Sequence, residues 1–266
     1  MTRPTQIFLY SVSVLLVCSS CNRYYYKPNG VNTPLFTDAG QAHLNVAGSL
    51  GGSSNTGDYD YDGTRYVFDL QASVSPVKHL GIIANYSTYG YTADNPNTAN
   101  GNVDGKAHLL EFGVGGYYAK GNTFKMVADC YAGYGTGQIR SDVDMRIKRF
   151  FIQPGIGIRS PAFDAAFNLR LVSAKYDHFN AKGMSNDYLL QQNLLNSSGR
   201  RIDNTRYAFV EPSFTVRTGY KFLKVQLQMV LAEELTSVPW YYNPARYTVG
   251  LYFSLEEAIA EAMKGR

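Results

Sequence analysis

The nine residues Phe163-Asp164-Ala165-Ala166-Phe167-Asn168-Leu169-Arg170-Leu171 decide the fold. Phe163, Ala165, Phe167, Leu169 and Leu171 share one parity; Asp164, Ala166, Asn168 and Arg170 share the other. Successive side chains of a strand point to opposite faces, so one face of this segment is hydrocarbon and the other polar or small. Leu223–Leu231 repeats the pattern, with Leu223, Val225, Leu227, Met229 and Leu231 set against Lys224, Gln226, Gln228 and Val230. The same alternation marks eight further segments, each bounded by turn residues. They lie at Gln41–Leu50, Arg65–Ser75, His79–Tyr91, Lys106–Ala119, Phe124–Gln138, Arg149–Arg159, Thr205–Tyr220 and Arg246–Ser254, which makes ten strands.

The connections alternate in length. Long ones are expected at Gly51–Thr64, Thr92–Gly105, Ile139–Lys148, Asn180–Asn204 and Glu233–Ala245, and short ones at Pro76–Lys78, Lys120–Asn122, Ser160–Ala162 and Lys221–Phe222. An even number of strands with short turns at one end and long loops at the other predicts an all-β fold, a ten-stranded antiparallel up-and-down transmembrane β-barrel over residues 41–254. A soluble sandwich or lipocalin shows similar alternation but turns its charges to water. Here the polar face carries Asp69, Glu111, Asp129, Asp164 and Glu211 against Lys125, Arg159, Arg170, Arg217 and Lys224. Such balance is what a narrow lumen with paired charges requires. Glycines on the same face, Gly113 with Gly115, Gly133 with Gly135 and Gly155 with Gly157, leave room for long side chains across it.

Two segments echo one another, Phe151-Ile152-Gln153-Pro154 and Phe209-Val210-Glu211-Pro212, and the prolines predict a bulge or bend in each strand. Thr248, Gly250 and Phe253 have the polar, glycine and aromatic spacing read by the machinery that inserts outer-membrane barrels. Ser254-Leu255-Glu256-Glu257 then opens a short amphipathic helix over 255–266, with Leu255, Ile259 and Met263 on one stripe.

The first residues set the compartment. Arg3, the apolar run Ile7–Val17 and the small Ser19 and Ser20 have the order of a secretory signal over 1–20. Val17-Cys18-Ser19-Ser20-Cys21 resembles a bacterial lipobox, which implies acylation of Cys21; a plain cleaved signal or a short membrane anchor are the alternatives. Residues 21–40 are then expected as a periplasmic linker, with Cys21 and the C-terminus on the short-turn side. Only Cys130 remains, so no internal disulfide can form and the Cys18-x-x-Cys21 pair has no second cysteine pair to complete a zinc site.

Further motifs carry a resemblance. Asn32-Thr33-Pro34-Leu35-Phe36, Gln71-Ala72 leading to Ser75-Pro76-Val77-Lys78-His79-Leu80-Gly81, and Arg149-Phe150-Phe151-Ile152-Gln153-Pro154 are similar to those of predicted outer-membrane β-barrel lipoproteins of unknown function, over most of residues 21–255. The resemblance implies a fold and a location in the bacterial outer membrane, and supplies no functional residues.

Chemistry is sparse. Asp58, Asp60, Asp62 and Gly63, with Asp69 further on, have calcium-loop spacing, but no helices flank them and a solvated acidic loop is the default. Asp177 and His178 resemble the acid and histidine of ten-stranded outer-membrane proteases, yet adjacent strand residues should point to opposite faces. His43, His79 and His108 have no visible partner in sequence. The formal charge of +4 is too small and scattered for nucleic acid. Tyr86, Tyr134, Tyr220, Tyr247 and Phe253 suit the lipid headgroup level, whereas Trp240, Tyr241 and Tyr242 are set for a ligand or protein at the loops, along with a helix around Asp187–Leu195. The sequence therefore predicts a non-catalytic barrel lipoprotein in contact with outer-membrane lipid and, during assembly, with the insertion machinery. No cofactor is expected, and the outer loops would meet a surface ligand or protein. A narrow channel is the second reading and a surface hydrolase the third.

Overall fold

The computed structural model describes residues 25–53, 63–94, 102–240 and 242–264. Ten strands form the wall: β1 Ala42–Ser53, β2 Gly63–Val77, β3 Leu80–Asp94, β4 Asn102–Lys120, β5 Lys125–Arg140, β6 Asp144–Arg159, β7 Phe163–Asn180, β8 Arg206–Tyr220, β9 Leu223–Leu231 and β10 Ala245–Ser254. Each pairs antiparallel with its neighbour in sequence, and β10 pairs with β1 through Leu44 opposite Phe253 and Val46 opposite Leu251. The sheet therefore closes on itself. A two-residue rung, Glu233–Glu234, extends the β9 edge against Phe209 and Val210 of β8.

The alternation in sequence becomes an inside and an outside. Leu70, Phe112, Val114, Ile152, Phe214, Leu227, Val249 and Leu251 are exposed on the outer wall, while Asp69, Glu111, Arg170, Glu211, Arg217 and Lys224 are buried in the lumen. Apolar surface outside and ionic groups inside is the arrangement of a transmembrane barrel, because a sheet facing water would reverse it.

Towards the long-loop end the polarity does reverse. Inward positions become Leu109, Ile139, Met145, Ile147, Ala174 and Tyr176, all buried, while Lys106, His108, Arg140 and Lys175 are exposed outside. This end is built like a water-soluble protein. It explains one difference from expectation: the long loop at Ile139–Lys148 is instead continuous sheet, with only residues 141–143 between β5 and β6. An apolar-outside pattern loses the strands where they rise above the apolar belt.

Helix α1, Asn186–Gln191, is capped by Ser185, whose side chain accepts from the Tyr188 amide. Its Leu189 joins Leu194, Ile202, Tyr207 and Trp240 in an apolar cluster over the lumen. Helix α2, Leu255–Lys264, follows β10 at the short-turn end. Neither Pro154 nor Pro212 makes a bulge, since the register runs evenly past both. The register shifts fall instead between Val74 and Val77 and between Asp144 and Arg146.

Candidate functional site

Residues 25–37 are not a linker. They run through the lumen from the long-loop end, where the Tyr176 hydroxyl donates to the Tyr25 carbonyl (2.8 Å), to the short-turn end, where the Thr37 amide donates to Gln41 Oε1 (2.7 Å). Tyr25, Tyr26, Asn29, Val31, Thr33, Leu35 and Phe36 are all buried. Gln41 then turns the chain into β1. The segment thus crosses the barrel before the wall begins, which places Tyr25 and the C-terminal helix at opposite ends; Cys21 itself lies outside the described residues.

Every wall strand already has two neighbours, so this segment cannot satisfy its backbone by joining the sheet. Buried carbonyls and amides still need partners, and lumenal side chains supply them. Arg246 Nη1 donates to Pro28 O (3.1 Å), Arg170 Nη2 to Asn29 O (3.2 Å), Gln153 Nε2 to Asn32 O (2.8 Å), Arg217 Nη2 to Thr33 O (2.7 Å) and Arg159 Nη1 to Leu35 O (3.3 Å). Gln228 meets Val31 twice, accepting from its amide at 2.9 Å and donating to its carbonyl at 2.8 Å. Close approach requires glycine at Gly30, where a Cβ would sit 2.8 Å from Asp69 Oδ2. At Gly157 a Cβ would meet the Leu35 side chain at 2.7 Å.

An ionic cluster fixes the middle of the segment. Glu211 accepts from Arg170 Nε (2.6 Å), Arg149 Nη2 (3.2 Å) and the Tyr26 hydroxyl (2.6 Å). Glu111 lies 3.3 Å from Arg170 Nη1 and 3.6 Å from Arg149 Nε. Between them, Asn29 donates to Glu111 (2.6 Å) and accepts from Arg149 (3.0 Å) and Arg170 (2.6 Å). Two carboxylates face two guanidiniums, and these four side chains are at most 1% exposed.

Of the charges read as lumenal, Asp69 pairs with Arg246 (2.8 Å), and Asp164 with Lys224 (2.7 Å) and more distantly Arg217 (4.0 Å). Arg159 points to the short-turn mouth and binds Glu256 (3.1 Å) and Glu257 (2.8 Å). Asp129 is buried with neither oxygen hydrogen-bonded among the described residues. Lys125 is a correction: it lies at the rim, half-exposed, on Asp38 (3.0 Å), because it begins β5 where the wall opens to water. Arg149, Arg246 and Asn29 join these groups in the lumen although the sequence pattern does not mark them. The two arginines share the inward parity but sit where strands were expected to start, and Asn29 belongs to the supposed linker.

At the mouth, His43 Nε2 lies 2.9 Å from Glu256 Oε1, and Glu256 Oε2 accepts from the Ala42 amide (3.2 Å). Burial pushes the Glu256 carboxyl up, but the His43 hydrogen bond and the Arg159 charge outweigh it and hold the carboxyl down at about 2. The expected capping-box glutamates therefore tie α2 to the barrel. On the opposite side of α2, Leu255, Ile259 and Met263 are exposed. A hydrogen bond from Lys221 (2.9 Å) lowers Glu261 below its ordinary range.

Other motifs separate. Cys18, Cys21 and the acidic run Asp58, Asp60 and Asp62 lie outside the described residues; Asp69 is committed to Arg246. Asp177 and His178 meet at 2.8 Å rather than facing apart, since His178 has φ +54° in the irregular end of β7. That pair is open to water, and Asp177 is also held by Lys148 (2.6 Å). Trp240 does not face outward to a ligand; it is buried against Tyr176 and Tyr207, with centroids at 5.5 and 5.1 Å. A void of about 20 Å³ beside Tyr25, Tyr89 and Arg149 has room for roughly one water.

No protein-family model matches the chain, and a search of curated proteins finds no match. Among solved structures, the translocator domain of autotransporter NalP from Neisseria meningitidis is similar at 11% identity and a TM-score of 0.42, with 94% of each chain covered.

Proposed function

We propose that this chain is an outer-membrane β-barrel lipoprotein, acylated at Cys21, that serves as a structural or surface-contact component without catalysis. The observation that carries the reading against transport is the lumen itself, occupied along its length by residues 25–37 and hydrogen-bonded to them throughout. The apolar outer wall supports a bilayer location, and the water-adapted long-loop end supports its projection beyond the lipid. Contacts with other molecules fall to that end, where α1 and the apolar cluster close the top.

Planar-bilayer recording tests this. The full chain should give no steady conductance, and a variant lacking residues 25–37 should give ion-conducting steps. Steady ion-selective steps from the full chain would favour passage of a small solute instead. For the hydrolase reading, Asp177→Asn and His178→Ala should leave any hydrolysis of peptides or lipids by the purified protein unchanged; its loss in both would reverse the non-catalytic assignment.

A further inference from the structure

The path of residues 25–37 decides which leaflet can receive the Cys21 lipid. The segment runs from Tyr25 at the long-loop end and fills the lumen towards the short turns, so Cys21 can lie no farther from that end than its covalent tether to Tyr25 allows. Tyr25 is held by Tyr176, thirteen residues along β7 from Phe163 at the short-turn end. The four steps from Cys21 to Tyr25 span at most about 14 Å when fully extended. The apolar band of a membrane barrel is roughly 25 Å tall. An acylated Cys21 therefore falls short of the short-turn leaflet by a wide margin, even along the outside of the wall.

We infer that Cys21 carries its acyl chains into the leaflet on the long-loop side, the outer leaflet if the long loops face outward. This rests on the proposed lipoprotein and on that orientation. The lumen would then be the passage by which the chain crosses the membrane once before the wall begins, and lipid, loops and N-terminus would all present at the cell surface. It reverses the periplasmic anchor expected from strand parity, because parity counts only the wall.

The test uses the full chain in bacterial cells, with a short epitope inserted after Asn22. Control epitopes go at Ser197, in the connection that holds α1, and at Asn122, in a short turn. Antibody should bind intact cells through the Asn22 and Ser197 epitopes alike, and through Asn122 only after the outer membrane is opened. A second variant, Arg23→Cys with Cys130→Ser, should take a membrane-impermeant maleimide in intact cells. Labelling only after lysis, or in neither state, overturns the inference, as does an Asn22 epitope that behaves like Asn122. Heat-modifiable gel migration shows that each variant is folded. If Ser197 and Asn122 do not differ, the orientation in the proposed function fails; if the N-terminal peptide has no acyl mass, the lipid fails while the threading stands.

Discussion

Replacing Glu211 with Gln removes one charge from a cluster buried away from bulk solvent. Arg149 and Arg170 then face Glu111 alone, two guanidiniums against one carboxylate. Breaking a buried ion pair by removing one partner costs about 3–5 kcal/mol, since it strands an uncompensated charge. Gln keeps the shape and can still meet the Tyr26 hydroxyl, so the lower end of that range applies. Folding into lipid vesicles under urea titration reads the change: with an m-value near 3 kcal/mol/M, the midpoint falls by roughly 1 M. Adding Arg149→Met to Glu211→Gln removes the excess charge and should restore at least half of the loss, a coupling that a double-mutant cycle isolates. A midpoint unchanged by Glu211→Gln, or single-variant losses that simply add in the double variant, would refute the claim that these four groups act as one balanced unit.

Gly30→Leu drives a side chain into Asp69 and Gln71; the segment should be displaced, and conductance should appear in bilayers where the parent is silent. Leu227→Arg places a charge midway along β9 on the outer wall, where it is exposed to lipid; insertion into vesicles should weaken by about 2–4 kcal/mol, whereas Lys148→Ala, above the belt, should leave it unchanged. For Glu256, a depressed carboxyl contributes stability that is present above the ordinary glutamate range and is lost as pH falls through about 2. Helix α2 should thus resist pepsin in the wild type until pH approaches that value, and Glu256→Gln should be cut throughout the acid range.

The wall was legible because its two solvents, lipid outside and a polar lumen inside, imprint a period of two on each strand. Phe163–Leu171 and Leu223–Leu231 carry an unbroken apolar outer face, and the strands they predict form. The pattern fails where the outer solvent changes: Met145 and Ile147 turn inward and Arg146 and Lys148 outward, so an apolar-outside template reads the top of β5 and β6 as a loop. Most lumenal charges followed from parity, while their partners did not. Parity says which face a side chain takes and nothing about which distant strand it meets. The segment 25–37 was least legible, because Pro28 and Pro34 break any strand pattern and its partners are side chains scattered over the whole wall. Its composition held one signal: apart from Lys27 it carries no charge, which is unusual for a solvated tether.

Occupation of the lumen by the chain's own N-terminal segment is the claim on which silence as a pore and the side of the lipid both turn. Thr33 Oγ1 and Thr215 Oγ1 lie 3.5 Å apart across that contact. In the folded, membrane-embedded protein with Cys130→Ser, the pair Thr33→Cys and Thr215→Cys should form a disulfide under mild oxidation, seen as a single linked product by mass. Two free, readily alkylated thiols in a barrel that still shows heat-modifiable migration would contradict the account.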